Sequence, residues 1–393
     1  MSHLRLIAFA SCLALAIGAG IGNALAADED ECRKGSAFAD PDQQLAACDA
    51  AMEAASDSKQ KAFFQFKRGE AFYWADQFGQ ALTDVDAALQ ADPELVPAYI
   101  RRAWTYIMLQ QWQDASRNVE EVLVRQPRNA EALFALSFIY ASTENDSARA
   151  YEALRQALEI DPNFHLARLH LAYKEYYYRG DLNAMLKEFE TLLNKGEAEL
   201  DKVSFRTIQG TRGTYPFSAE VRYERAKQLM GAKRNDQALS DVDLLIARYP
   251  SMAPAFALRG QILQTRRDEI GAIQDYDRAI ELDPSNIDAR HGRAWAYFYL
   301  QRFDEAAGEA NWLVEAGPLT AGDGFYLRAQ TYKRQGNNEQ AFNAYLEAFQ
   351  YDPRALAVTR QRMVELGYVA ASNEEYNEEF RNGVRACVAD PDC

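Results

Sequence analysis

Residues 324–353 read Gly-Phe-Tyr-Leu-Arg-Ala-Gln-Thr-Tyr-Lys-Arg-Gln-Gly-Asn-Asn-Glu-Gln-Ala-Phe-Asn-Ala-Tyr-Leu-Glu-Ala-Phe-Gln-Tyr-Asp-Pro. Phe325, Ala329 and Tyr332 recur at helical spacing, as do Ala341, Tyr345 and Ala348, so the stretch holds two amphipathic helices. A polar turn this short between them leaves only an antiparallel pair. Ala329 and Ala341 then mark where the backbones cross closely, since a bulky side chain there would force the helices apart. Asp352-Pro353 closes the unit, because the residue before proline is driven out of the helical region.

Seven more units follow the same rule. A small residue precedes an alanine by twelve or thirteen positions at Gly69/Ala81, Ala103/Ala115, Ser137/Ala150, Ala172/Ala184, Ala226/Ala238, Gly260/Ala272 and Ala294/Ala306. Successive units are 34 or 35 residues apart except for one 54-residue step after the fourth. Pro93, Pro127, Pro162, Pro250, Pro284 and Pro318 end the others, while Gly196 stands at that place in the fourth. In the first unit the turn is read at Asp76-Gln77-Phe78-Gly79. The chain is therefore an all-α repeat array. The first four alanines sit 156 or 157 residues before the last four, and Gln80–Asp86 matches Gln237–Asp243, as duplication of a four-unit block would leave them.

These residues resemble the tetratricopeptide repeat family, the last unit best and the sixth (Phe256, Gly260, Ala272, Tyr276, Ala279, Pro284) next; the resemblance covers about 270 of the 393 residues. It implies a right-handed α-solenoid of four plus four helix pairs, with the first helix of each pair lining a concave face. It also implies an interaction scaffold rather than an enzyme, without naming a ligand. The lysine and asparagine clamp with which some family members hold carboxyl termini is replaced here by Phe66, Glu70, Ile100 and Trp104.

The domain reading is a signal peptide at 1–26, a capping segment at 27–61, repeats at 62–195, a loop or hinge at 196–218, repeats at 219–353 and capping helices at 354–393. The leader rests on Arg5, the apolar run Leu6–Ile21 and Ala24-Leu25-Ala26, and implies export, to the periplasm of a Gram-negative bacterium. Cys32, Cys48, Cys387 and Cys393 lie outside the eight units, and in an exported protein proximity favours Cys32–Cys48 and Cys387–Cys393 disulfides. The segment from Gln361 to Tyr368, with Phe380, Ala386 and Cys387–Cys393, resembles a small peptidoglycan-binding module. Asn373–Glu379 replaces that module's glycine- and aspartate-rich turn, so a plain capping pair is the preferred reading.

The formal charge of −15, one unit more acidic without Arg5, makes nucleic acid and anionic lipid poor partners. No later stretch is long and apolar enough to span a membrane. Three histidines follow the leader, His165, His170 and His291, with no metal-ligand spacing and no phosphate loop or nucleophile motif, so neither catalysis, a metal nor a cofactor is expected. The informative residues are aromatic. With the small residue as position eight, groove-facing positions hold Phe63, Phe66, Tyr73 and Trp74, then Trp104, Phe134 and Phe138, then Tyr173, Tyr176 and Tyr177, and in the seventh unit Trp295, Phe298 and Tyr299. Exposed together they would form a site for an extended or helical segment of a protein partner, with peptidoglycan or another glycan as the rival ligand.

Overall fold

The computed structural model describes residues 28–33, 41–143, 146–203, 215–370 and 377–390, and among these all regular structure is α-helical. The expected leader and Cys393 lie outside the described residues. Helix α1 covers 28–33 and α2 Pro41–Ala54. The first four pairs are α3 (Ser58–Trp74) with α4 (Phe78–Ala91), α5 (Val96–Met108) with α6 (Trp112–Arg125), α7 (Ala130–Thr143) with α8 (Ser147–Ile160), and α9 (His165–Tyr177) with α10 (Leu182–Leu193). After the short α11 (Glu197–Leu200) come α12 (Phe217–Gly231) with α13 (Asn235–Arg248), α14 (Ala253–Thr265) with α15 (Glu269–Leu282), α16 (Ile287–Tyr299) with α17 (Phe303–Glu315), and α18 (Pro318–Arg334) with α19 (Asn338–Tyr351). Helices α20 (Pro353–Glu365) and α21 (Glu378–Ala389) follow.

The chain divides into two compact units, one ending at Val221 and one beginning at Arg222. Within each, consecutive helices pack on one another and first helices also touch the first helix of the next pair, as α3 touches α5 and α14 touches α16. Each unit is thus an α-solenoid. The positions that sequence singled out lie at the crossings. All eight small residues are buried, and so are seven of the eight alanines. Ala184 is the exception: there Met185, one residue later, takes the fully buried place.

The crossings trade volume from unit to unit. A Cβ on Gly69 would lie 2.8 Å from Val85 Cγ2, so glycine is what lets valine fit. Tyr276 occupies the equivalent of Val85 in the sixth unit and is a ring rather than a branched chain. It fits because glycine faces it twice, Gly260 on its own first helix and Gly292 on the next, where added Cβ atoms would stand 2.7 and 2.3 Å from the ring. A buried tyrosine thus holds three helices together.

The aspartates before proline end their helices as expected, with Asp92 at φ −138°, Asp161 at −126°, Asp283 at −141° and Asp352 at −128°. Pro353 also opens α20, where its missing N–H costs nothing. Several boundaries differ from the sequence reading. The turn of the first unit is Ala75–Gln77, and Phe78 and Gly79 already belong to α4, because Phe78 packs its ring 5.9 Å from Tyr73. The segment read as a loop contains α11, whose Leu200 is buried with Phe217 and Val221, and α12 begins two residues early at Phe217. Residues 204–214 of that segment lie outside the described residues. At the ends, Cys32 and Cys48 form a disulfide that ties α1 to α2. Phe380, Val384, Cys387 and Val388 of α21 are buried against α19 and its neighbours, as a capping helix requires; Cys387 is itself disulfide-bonded.

A recurrent ion pair was not foreseen. Arginine precedes the small residue in six units, and in four of these it meets an acid 16 residues on, one position before the crossing residue. Arg68 grips Asp84 through Nε and Nη2 at 2.7 and 2.6 Å, Arg225 grips Asp241 at 2.7 and 2.5 Å, and Arg259 grips Asp275 at 2.8 Å through both. Arg259 Nη1 also reaches back to Asp243 at 2.9 Å, and Arg293 reaches back to Asp277 at 2.5 Å while donating to Glu309. Arg259 and Arg293 thus join their own second helix to the one before. Asp84, Asp241 and Asp275 are buried, so a bidentate guanidinium is what keeps them from standing uncompensated.

Two outcomes follow in urea unfolding. Arg259→Leu should cost about 2 kcal/mol by stranding Asp275, and Arg259→Leu with Asp275→Leu should cost clearly less than that single change. The turns between paired helices hold Asp76, Gln110, Lys233, Arg267 and Gln301 at φ between 57° and 64°, a region costly for side chains. Gln301→Gly should therefore raise stability by roughly 0.5–1 kcal/mol, the left-handed cost less glycine's extra entropy.

Candidate functional site

The thirteen aromatic residues assigned to the groove do not share one environment. Phe66, Tyr73, Trp104, Phe134 and Phe298 are core residues. Phe63, Trp74, Phe138, Tyr173 and Trp295 are half-buried. Tyr176, Tyr177 and Tyr299 are exposed, at 38%, 69% and 55%. Helical geometry accounts for most of this division. At about 100° per residue, positions five and twelve lie within roughly 60° of the small residue, on the side its partner helix covers, whereas position thirteen lies roughly 140° away. Tyr73 and Phe298, both at twelve, accordingly touch Phe78 and Phe303 at the start of their own second helices, at 5.9 and 6.0 Å. Tyr177 and Tyr299, both at thirteen, face solvent.

In the N-terminal unit core and half-buried rings meet from one first helix to the next. Trp104 lies 5.3 Å from both Phe134 and Phe138. His170 closes against Phe138 at 4.7 Å and Phe134 at 5.2 Å. Burial among these rings, helped by the nearby Lys174 charge, pushes the imidazole down to about 4, so it is a neutral, aromatic-like packing residue at neutral pH. Beside these rings, Arg101 stacks over Tyr73 at 4.6 Å and Trp74 at 5.7 Å. Its Nη2 donates to Glu70 Oε1 at 2.8 Å, while Lys67 Nζ donates to Oε2 at 2.8 Å. Burial alone would lower the Arg101 pKa, but Glu70, Tyr73 and Glu131 together outweigh it and the net direction is upward. Farther along α9, Tyr173 and Tyr177 stack at 6.4 Å and Tyr177 meets Tyr176 edge-on at 5.1 Å.

The C-terminal unit has a different groove. Trp295 Nε1 donates to His291 Nε2 at 3.1 Å, and its ring lies among Phe298, Tyr299 and Tyr326 at 5.5–6.3 Å. Trp295, His291 and Tyr299, together with Met230, Gln261, Gln264 and Arg267, bound a solvent-open cavity of about 730 Å³. Gln264 is fixed in its wall: Tyr276 Oη donates to its Oε1 at 2.6 Å, and its Nε2 donates to Glu269 Oε2 at 3.1 Å and the Gly292 carbonyl at 3.2 Å. The buried tyrosine that locks three helices therefore also orients the amide lining the cavity.

The polar half of this cavity was missed by the sequence reading, which looked only for rings. The register that selected Trp295 puts Gln261, Gln264 and Thr265 at positions nine, twelve and thirteen of the sixth unit and Met230 at twelve of the fifth. Among the described residues no three metal-ligating side chains come together, and no helix is long and apolar enough to cross a membrane.

Comparison with known proteins agrees with this architecture. Residues 100–163, 253–286 and 323–354 match the tetratricopeptide repeat. The chain is 22% identical over 323 residues to the human mitochondrial import receptor subunit TOM70, covering 73% of this chain and 51% of that protein. It is 36% identical over 101 residues to stress-induced-phosphoprotein 1 of Caenorhabditis elegans, covering 26% and 31%. The chain spans about half the length of the first of these relatives and less of the second. Among solved structures, the Cut9–Hcn1 hetero-tetramer of the APC/C aligns with a TM-score of 0.51 at 14% identity, covering 81% of this chain and 59% of that one. An IFIT1 monomeric mutant with Gppp-AAAA aligns with a TM-score of 0.52 at 15% identity, covering 83% and 79%. These similarities show the fold.

The His170 environment has a measurable consequence. Because its folded pKa lies below the unfolded value near 6.5, the unfolded chain binds the extra proton first. Its contribution is intact above about pH 6.5 and is lost as pH falls toward 4, by roughly 3 kcal/mol over that range. Urea midpoints measured from pH 7 to 4 should fall less steeply in His170→Phe than in the parent, and parallel curves would refute the assignment.

Proposed function

We propose that this array of tetratricopeptide repeats is a non-enzymatic scaffold that holds a segment of a partner protein along its first-helix groove. The observation that carries the reading is the cavity of about 730 Å³ in the C-terminal unit, open to solvent and edged by the half-buried Trp295 and the exposed Tyr299. Open concave sites that combine aromatic faces with a few oriented polar groups suit peptide side chains. The exposed tyrosines at the end of α9 extend the same logic to the N-terminal unit. The absence of a nucleophile, phosphate loop or metal-ligand pattern in the sequence favours binding over turnover. The human import receptor and the phosphoprotein relative are consistent with a scaffold role.

The Cys32–Cys48 bond favours an oxidising compartment. We read that compartment as the periplasm. The C-terminal helices do not add a glycan-binding role to this proposal, since the face of α21 bearing Phe380, Val384 and Val388 is spent on capping the array.

Site-specific photocrosslinking tests the groove directly. Benzoylphenylalanine in place of Tyr299 should crosslink a discrete polypeptide in cells producing the full chain, while the same probe at Leu244, which is exposed on α13, should not. Crosslinks of equal yield at both positions, or at Leu244 alone, would place the binding surface elsewhere.

A further inference from the structure

The turns between paired helices differ in charge between the two units. In the C-terminal unit they carry Lys233-Arg234, Arg266-Arg267-Asp268 and Arg302, with Lys333-Arg334 closing α18 just before the last of them, whereas the corresponding turns of the N-terminal unit carry Asp76-Gln77, Gln110-Gln111 and Arg179-Gly180-Asp181. In a chain of net charge −15 this concentration of cations is unexpected on composition alone. Some are already used. Arg266 pairs with Asp236, Arg302 with Glu305 at 2.8 Å, and Lys333 donates to the Cys387 carbonyl at 3.1 Å. Lys233, Arg234 and Arg267 are exposed and have no acidic partner among the described residues.

These three cations are neighbours. Asn235 Nδ2 donates to Thr265 Oγ1 at 2.6 Å, and the Arg266–Asp236 pair bridges the same two turns, so the turn bearing Lys233 and Arg234 abuts the turn bearing Arg267. Arg267 also lines the cavity that contains Trp295 and Tyr299, and its left-handed backbone, φ 64°, sets it at the apex of the turn. A cavity with aromatic and amide walls therefore opens onto three cations, beside which Asp268 is held as the helix cap that accepts from the Gly271 N–H at 2.9 Å. One acid at the cavity, Glu269, is buried and already accepts from Gln264 at 3.1 Å, so it is held in the wall beneath those cations.

We infer that the C-terminal groove selects a partner segment in which an aromatic or aliphatic side chain, seated between Met230 and Trp295, is flanked within a few residues by carboxylates that meet Arg267, Lys233 and Arg234. This rests on the groove reading above and narrows it to an acidic, aromatic-bearing peptide. Charge complementarity decides the partner: a basic segment would meet three like charges at the rim, and a neutral one would gain nothing from them. The described N-terminal turns offer fewer cations, with Asp76 at the first and Gln110-Gln111 at the second, so the same carboxylates would gain less there.

The test is selection from a random twelve-residue phage-displayed peptide library on the full chain, followed by fluorescence anisotropy with the recovered peptides. The expected result is enrichment of Asp or Glu close to Trp, Phe, Tyr or Leu. Affinity should weaken about tenfold or more for Arg267→Glu, stay within about threefold for Arg267→Lys, and weaken again as salt rises from 50 to 500 mM. Both variants change an exposed turn residue, and circular dichroism verifies that they fold. Binding lost in Trp295→Ala but unchanged in Arg267→Glu, or enrichment of basic or neutral sequences, would overturn the acidic selectivity while leaving the groove reading in place. Recovered peptides whose affinity neither variant alters would overturn both, as would a selection that enriches no sequence.

Discussion

Everything in this fold depends on how closely two helix backbones can approach at one point per repeat. Where the first helix presents glycine, alanine or serine, its partner can lay Val85, Tyr276 or Tyr345 against it and bury the pair. The hydrophobic return for each such contact is modest, about 1.5–3 kcal/mol for a fully buried side chain, but eight successive crossings fix the rotation of every first helix about its axis. That rotation decides which residues face the partner helix and which face solvent. The groove is a by-product of the crossing, and its chemistry is whatever the sequence places at the positions left over.

The ion-pair ladder does a related job beside each of four crossings. Arg68, Arg225, Arg259 and Arg293 each hold a poorly hydrated acid on their own second helix, and Arg259 and Arg293 also grasp the preceding one. Apolar crossings are tolerant of sliding, whereas a bidentate guanidinium is not. The ladder thus gives registry between neighbouring repeats, and the two apolar ends, closed by α2 with its disulfide and by α20 and α21, give the array its limits.

Much of this was legible in the sequence because it is periodic. The small residues, the alanines and the Asp-Pro stops repeat, and repetition separates a structural constraint from chance. What repetition does not encode is how a position is shared between core and groove. Phe66 and Tyr177 both satisfied the groove register, yet one is core and the other 69% exposed, because the register specifies a helix face about 100° wide and not the edge where a partner helix begins to cover it. The cavity's polar wall was in register too, at Gln261 and Gln264, but amides carry no signal of their own until Tyr276 is seen to orient one of them. The arginine ladder was readable in principle, as Arg followed by Asp at 16 residues in the first, fifth and sixth units. Helix α11 was hidden by the glycines and threonines around it, and a four-residue helix held by one buried leucine leaves almost no pattern.

The central claim is that backbone proximity at the crossings sets both the packing and the groove, and Gly292 is where the two meet. A Cβ there would stand 2.3 Å from the buried ring of Tyr276, which in turn holds Gln264 in the cavity wall. The decisive measurement is the urea unfolding free energy of Gly292→Ala against the parent chain. Alanine is the better helix former by roughly 1 kcal/mol, so propensity alone would stabilise the variant. If the account is right, overpacking against Tyr276 reverses that gain and the variant is less stable by about 1–3 kcal/mol. A variant as stable as the parent, or more so, would mean that the helices do not meet as closely as the structure has them, and the derivation of the groove from the crossings would fail.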